Sequence, residues 1–213
     1  MTSGAEARAS VAPLEAGLRN LVRIAGAIAG SPEGQMRAVM SEAIDEVDPV
    51  AVEEIILQSY LFAGFPRALN AARAWRAASG RPAPVEDVEV ADLDVWRVRG
   101  EETCAVVYGQ SYEKLRQNIR ELHPALDEWM ILDGYGKVLS RPGVDLRTRE
   151  LCVVAACAVS GQQRQLHSHL RGALNAGASV SEVSGVLDAL TDLISRDDHV
   201  RYRQLLQKIA VQE

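Results

Sequence analysis

The chain has 213 residues, enough for one large domain or two small ones, and with 47% hydrophobic and 24% charged residues it can bury a substantial core. A net charge of −6 gives no basic footprint, so we expect no nucleic-acid partner. The apolar runs are too short to cross a bilayer and no signal-peptide pattern is found, which predicts no membrane association and a cytoplasmic location.

Helix start and stop signals recur along the chain, whereas few stretches alternate as strands do. Ser31-Pro32 and Asp48-Pro49 each place a capping side chain before a proline, and Ser179 with Glu182 forms a capping box. The pattern predicts an all-α fold. The predicted helices are 13–29, 33–46, 49–63, 66–78, 111–121, 124–135, 146–160, 162–176, 180–195 and 197–210.

Two helical blocks flank the segment 80–94, which is rich in turn residues and acids and is predicted to be an exposed linker. Shifting the sequence by 130 residues aligns Gln35–Ile44 with Gln165–Leu174 in glutamines and apolar positions. This predicts a tandem duplication, with an N-terminal degenerate repeat at 1–79 and a second repeat at 95–213 packed as a pseudo-twofold bundle. Chance similarity between alanine-rich helices is the alternative.

The three cysteines are Cys104, Cys152 and Cys157, which form neither a CxxC pair nor an even set. We expect buried thiols that act as small hydrophobic side chains, with no structural disulfide and no metal site.

One predicted helix carries an unusual polar stripe. His169 follows Gln165 by one helical turn and Gln162 by two, among positions that otherwise suit apolar packing. Such a stripe is more typical of a pocket lining than of a solvated face.

Three stretches carry a resemblance to a known family. RTREL…QLHSHLRGALNAG (147–177), preceded by YGKVLSRPGVDL (135–146), resembles the carboxymuconolactone decarboxylase family, and YLFAGFPRALNA (60–71) resembles its closing helix-turn-helix. The resemblance covers most of 95–190 and about 18–78. It implies an all-helical fold and a homo-oligomer, with a trimer favoured over a dimer, and members include lactone decarboxylases and alkylhydroperoxidase D-like peroxidases.

The departures from the peroxidase branch are informative. Its glutamate and histidine correspond to Glu150 and His169, but its two CxxC cysteines correspond to Gln162 and Gln165. Glutamine has no thiolate with which to attack a peroxide, so cysteine-based peroxidase activity is not expected.

The N-terminal repeat has Val39 where the second repeat has His169, but it keeps the AGFP turn at 63–66. We therefore expect one composite site, in which the segment Tyr60–Asn70, with Tyr60 and Phe65, covers the His169 pocket. Drift in a protein that uses neither site is the alternative.

The resemblance makes His169 the candidate acid–base group and Glu150 the residue that orients it. Gln162 and Gln165 can hydrogen-bond a substrate oxygen, and Arg147 and Arg149 are candidates for binding a substrate carboxylate. In the structural alternative His169 is a packing residue, and Glu150 pairs with Arg147 or Arg171.

The predicted function is therefore a cofactor-independent acid–base lyase, a decarboxylase of a small lactone or carboxylic acid, without a metal. Two alternatives stay open. One is a peroxidase or disulfide reductase using Cys152 or Cys157, and the other is a non-catalytic oligomeric scaffold.

Overall fold

The computed structural model describes residues 14–85 and 92–211. Within these residues there are eleven α-helices, a 3-10 turn at Gly109–Ser111, a π-helix at Met130–Leu139 and no strand, so the predicted all-α fold is confirmed. The α-helices are α1 (Ala16–Gly30), α2 (Glu33–Glu42), α3 (Pro49–Ala63), α4 (Phe65–Ser79), α5 (Leu93–Tyr108), α6 (Tyr112–Leu122), α7 (Pro124–Trp129), α8 (Leu146–Val159), α9 (Gln163–Asn175), α10 (Val180–Ala189) and α11 (Arg196–Ala210).

Two of the three predicted helix starts have the expected caps. Asp48 accepts a hydrogen bond from the Val50 N–H at the start of α3, and Ser179 and Glu182 form the capping box of α10. The cap predicted at Ser31 is wrong. Helix α2 begins at Glu33 after Pro32 without a side-chain cap, and the buried Ser31 hydroxyl has no hydrogen-bond partner.

Helix α5 is the element that the sequence analysis does not predict. It begins at Leu93, inside the predicted 80–94 linker, and the Asp92 side chain caps it by accepting from the Asp94 N–H. Residues 80–85 are non-helical as expected, while the part of the linker prediction at 86–91 lies outside the described residues. Gly100 lowers helix propensity in the middle of α5, which weakened the signal.

The predicted helix 124–135 is regular only as far as Trp129 and continues as the π-helix to Leu139. Its i→i+5 hydrogen bonds place more residues in each turn than an α-helix holds, and such segments are frequent at functional sites. The π-helix packs backbone to backbone on α5. A Cβ on Gly100 would lie 2.1 Å from the Ile131 carbonyl oxygen, and one on Gly136 would lie 2.1 Å from that of Trp96.

Both halves of the chain contribute to one continuous apolar core. Helices α1 and α8 meet closely, because a Cβ on Gly30 would lie 2.5 Å from the Val159 carbonyl oxygen. Helices α1 to α4 begin at 16, 33, 49 and 65, and α8 to α11 begin at 146, 163, 180 and 196 in the same order. These starts agree with the aligned offset, while the duplication itself stays a prediction. None of the described helices is long and apolar enough to cross a membrane.

Candidate active site

The centre of the candidate site is a buried imidazole–carboxylate pair. His169 on α9 and Glu150 on α8 are 4% and 0% exposed, and His169 Nδ1 lies 2.8 Å from Glu150 Oε2. The other carboxylate oxygen, Oε1, is buried without a hydrogen-bond partner. Such an unsatisfied atom is costly in a protein interior and calls for a reason beyond stability.

The pair has room because α9 carries a glycine beside it. A Cβ on Gly172 would lie 2.7 Å from Glu150 Oε2 and 2.7 Å from Val107 Cγ1. Both distances are shorter than any ordinary contact, so Gly172 lets the carboxylate lie against the backbone of α9.

His169 lines a cavity of about 310 Å³, at the small end of the range for ligand pockets. The wall is mostly apolar and is built by the end of α3, the end of α5, α7, the π-helix and α9. The lining residues are Leu61, Phe62, Tyr108, Leu126, Trp129, Met130, Gly134, Tyr135, Leu139 and His169. This lining contains no lysine or arginine.

Two aromatic rings contact the imidazole, and a third contacts one of them. Phe62 and Tyr108 meet it edge to face, with centroids 5.8 Å and 6.3 Å from that of His169, and Tyr108 in turn lies 6.2 Å from Tyr135. Burial raises the pKa of Tyr108, and a hydrogen bond with Tyr135 acts in the opposite direction. Burial also holds the pKa of Tyr135 well above its ordinary value. Both phenols therefore stay protonated at neutral pH.

The two predicted glutamines lie outside this cavity. Gln162 and Gln165 are exposed, and neither contributes to the lining. They share the stripe of His169, but at about 1.5 Å of rise per residue they lie about 10 Å and 6 Å farther toward the start of α9. Spacing along a helix predicts the direction of a side chain around the axis, but it does not predict how far a pocket extends along the axis.

Arg147 and Arg149 also lie away from the cavity. Arg147 pairs with Glu182 beside a separate surface pocket of about 700 Å³, where α1, α3, α8 and α10 begin. That pocket is larger, but its rim carries Glu15, Glu46 and other acids, and His169 is not among its lining residues.

Arg149 belongs to a buried network between the two halves of the chain. Its Nη2 donates to Glu54 Oε2 at 2.7 Å, and Arg141 Nη2 donates to Glu54 Oε1 at 3.0 Å. Gln58 donates to the Arg149 carbonyl oxygen at 3.1 Å. With 0% of Arg149 exposed, its guanidinium is fully engaged by the protein itself.

The segment Tyr60–Asn70 does contribute to the cavity, but through residues other than the predicted Tyr60 and Phe65. Tyr60 and Phe65 contact each other at 6.4 Å between centroids, Phe65 is 66% exposed, and neither lines the cavity. Leu61 and Phe62 of the same segment do line it.

Sequence reasoning did not single out Phe62, Tyr108 or Tyr135. Phe62 and Tyr135 lie within the stretches that resemble the family, so a search for aromatic residues there could have found them. Tyr108 ends the unpredicted helix α5 and had no comparable signal.

All three cysteines are buried. Burial raises the pKa of Cys104 and of Cys157 to about 12, and raises that of Cys152 as well. Over the described residues no group of histidine, cysteine or acidic side chains could hold a metal ion.

Known proteins are similar to this chain over the residues of the candidate site. The model of the carboxymuconolactone decarboxylase family matches residues 124–193, which include Tyr135, Glu150 and His169. The chain is 26% identical over 174 residues to Peroxisomal protein 2 of Schizosaccharomyces pombe, covering 79% of this chain and 81% of the relative. It is also 26% identical over 90 residues to 4-carboxymuconolactone decarboxylase of Acinetobacter baylyi, covering 42% of this chain and 67% of the relative.

The matched segment supplies the imidazole–carboxylate pair and the π-helix, whereas Phe62 and Tyr108 come from outside it. The resemblance seen in the sequence is thus confirmed over residues 124–193, where the chain is similar to the carboxymuconolactone decarboxylase family.

Proposed function

We propose that this protein is a cofactor-independent acid–base lyase that decarboxylates a small lactone or carboxylic acid. The observation that carries the proposal is the 2.8 Å contact between His169 Nδ1 and Glu150 Oε2 at the wall of the apolar cavity. Side chains that meet in this way are suited to proton transfer.

Glu150 sets the tautomer of the imidazole. Its carboxylate accepts the hydrogen bond of Nδ1–H, which leaves Nε2 as the ring nitrogen available to the cavity. In the proposed reaction the bond between the substrate and its carboxylate breaks, CO2 leaves, and the electron pair forms an enolate. Protonated Nε2 then delivers a proton to the substrate carbon, and the histidine regains one from solvent after product release.

The lack of lysine and arginine in the cavity lining favours loss of CO2. A carboxylate in an apolar cavity without lysine or arginine is poorly solvated, and its conversion to neutral CO2 relieves that cost. A second carboxylate has no cationic partner in this lining, because Arg147 and Arg149 are held by Glu182 and Glu54. The proposed substrate therefore brings one carboxylate into the cavity.

The assembly and location of the protein are also proposals. Trp129 and Leu126 line the cavity and are 59% and 47% exposed, which supports a homo-oligomer that covers them, with a trimer favoured over a dimer. We propose a cytoplasmic location, and the similarity to Peroxisomal protein 2 of Schizosaccharomyces pombe makes the peroxisome the alternative to examine by microscopy.

The activity is tested by measuring CO2 release from a panel of small lactones and carboxylic acids that includes 4-carboxymuconolactone. We expect release by the wild-type protein and a fall of about 10²- to 10⁴-fold in the His169→Gln variant, the usual range for loss of a general acid. His167→Gln is the matched control, because His167 is on the same helix, exposed and outside the cavity. Equal release by the His169→Gln variant, or none by folded wild-type protein on any substrate, would contradict the proposal.

A further inference from the structure

The cavity contains a second polar feature besides His169, namely the pair of phenols Tyr108 and Tyr135. They come from different elements, the last residue of α5 and the middle of the π-helix. A phenylalanine would fill either position without placing a hydroxyl in an apolar interior, where an unpaired hydroxyl is costly. The two hydroxyls partner each other, and a pair of phenols at the wall of a cavity can also offer a hydrogen to a bound molecule.

We propose that Tyr108 is a further catalytic residue, whose hydroxyl donates a hydrogen bond to the substrate oxygen on which negative charge develops. Tyr135 is its positioning residue and donates its own hydroxyl hydrogen to the Tyr108 oxygen. The inference rests on the proposed function, because that oxygen is the enolate oxygen formed when CO2 leaves.

The rings of the two phenols lie 6.2 Å apart between centroids, and a hydrogen bond joins their hydroxyls. Each hydroxyl carries one hydrogen and can also accept one. In the proposed arrangement Tyr135 donates to the Tyr108 oxygen, which leaves the Tyr108 hydrogen for a third partner. Since the ring of Tyr108 borders both the cavity and the imidazole, a ligand oxygen in the cavity is the partner within reach.

The backbone holds this arrangement rigidly. Gly100 and Gly136 let α5 and the π-helix touch along their main chains, and Tyr108 and Tyr135 lie on the same two elements. Hydrogen-bond donors fixed in this way need no reorganisation as charge develops, which is the basis of oxyanion stabilisation.

The ligand that fits is therefore a small, mostly apolar molecule with one oxygen that becomes an anion, bound between the Tyr108 hydroxyl and His169 Nε2. This class covers an enolisable lactone or ketone, and also a simple phenolate, which carries the charge permanently. A phenolate can thus probe the two donors without knowledge of the natural substrate.

The test uses 4-nitrophenol as the probe at fixed pH, with the purified full-length protein. Visible absorbance distinguishes bound phenolate from bound phenol, and titration gives the dissociation constant of each. We expect wild-type protein to prefer the phenolate. Tyr108→Phe should weaken phenolate binding about tenfold or more, since a hydrogen bond to a charged group contributes about 1.5–3 kcal/mol and about 1.4 kcal/mol is tenfold in affinity.

Tyr135→Phe should give a smaller loss and should move the absorbance maximum of the bound phenolate, which a purely structural role would not do. Tyr112→Phe is the control, because Tyr112 lies on α6, does not line the cavity, and accepts a hydrogen bond from Arg116. The inference is overturned if folded Tyr108→Phe binds phenolate as tightly as wild type, or if the wild type does not bind it. Loss of binding in His169→Gln alone would overturn the role of Tyr108 and leave the proposed function standing.

Discussion

Arg149 and Glu150 are neighbours on α8 and both are fully buried, yet their hydrogen bonding differs. Arg149 is saturated with partners and ties α8 to Glu54 on α3. Glu150 has His169 on one oxygen and no partner on the other. A polar group whose bonding is complete serves the fold, whereas an incompletely bonded carboxylate behind a histidine that lines a cavity is a mark of function.

Changing Glu150 should greatly lower activity without lowering stability. Glu150→Gln removes the charge that orients and supports His169, so we expect decarboxylation to fall about 10²-fold or more. The free energy of unfolding should stay equal or rise, because an incompletely bonded buried carboxylate is replaced by a neutral amide of similar size. Rates of CO2 release and urea denaturation measure the two effects. A large loss of stability would show that Glu150 has a structural role like that of Arg149.

Changing Arg149 should have the opposite consequence. Arg149→Met leaves Glu54 with one of its two cationic partners, and we expect a stability loss of about 3 kcal/mol, in line with other broken buried ion pairs. The folded fraction should keep its activity.

Arg97→Met is the matched control for Arg149. Arg97 pairs with Glu128 at the surface, where its side chain is 39% exposed, and such a pair contributes about 1 kcal/mol or less. Similar denaturation midpoints for the two variants would contradict the structural role of Arg149.

Gly172→Ala tests the space that Glu150 occupies. The added methyl would lie 2.7 Å from Glu150 Oε2, so the carboxylate must shift. We expect activity to fall about tenfold, with a stability loss of about 1–3 kcal/mol from overpacking. Gly34→Ala on α2 is the control, because a Cβ there meets nothing within 4 Å and alanine should stabilise the helix by about 0.5–1 kcal/mol.

The smallest effect is expected at the cysteines. With a pKa of about 12, Cys157 has a thiolate fraction of about one in ten thousand at pH 8, so thiol reagents and peroxide should react slowly with folded protein. Cys157→Ala should keep normal CO2 release. Rapid loss of free thiols with peroxide consumption would instead support the peroxidase alternative.

The sequence predicts the helices with strong periodicity and the pairing of Glu150 with His169, because the motif fixes both residues relative to the helices. It does not predict which polar residues next to each other in sequence belong to the site and which are bound elsewhere in the core. Arg149 differs from Glu150 by one position, and only the packing of α3 onto α8 gives it a partner in Glu54.

The other cavity walls depend on features without a simple sequence period. Helix α5 contains Gly100 because the Ile131 carbonyl occupies the space of its Cβ, so a contact distant in sequence explains a residue that locally disfavours the helix. The wide turn of the π-helix likewise has no counterpart in a 3.6-residue pattern, and Tyr135 could not be assigned to the cavity from spacing.

The π-helix has a consequence for how related proteins can acquire new specificities. Deleting one residue between Met130 and Leu139 would allow ordinary α-helical bonding, because a π-helix holds more residues in each turn, and the conversion would absorb the deletion within this stretch. A single codon lost here therefore changes which side chains of one wall face the chamber while leaving its imidazole and carboxylate in place. Length variation here is a shorter evolutionary route to a different substrate than successive point changes.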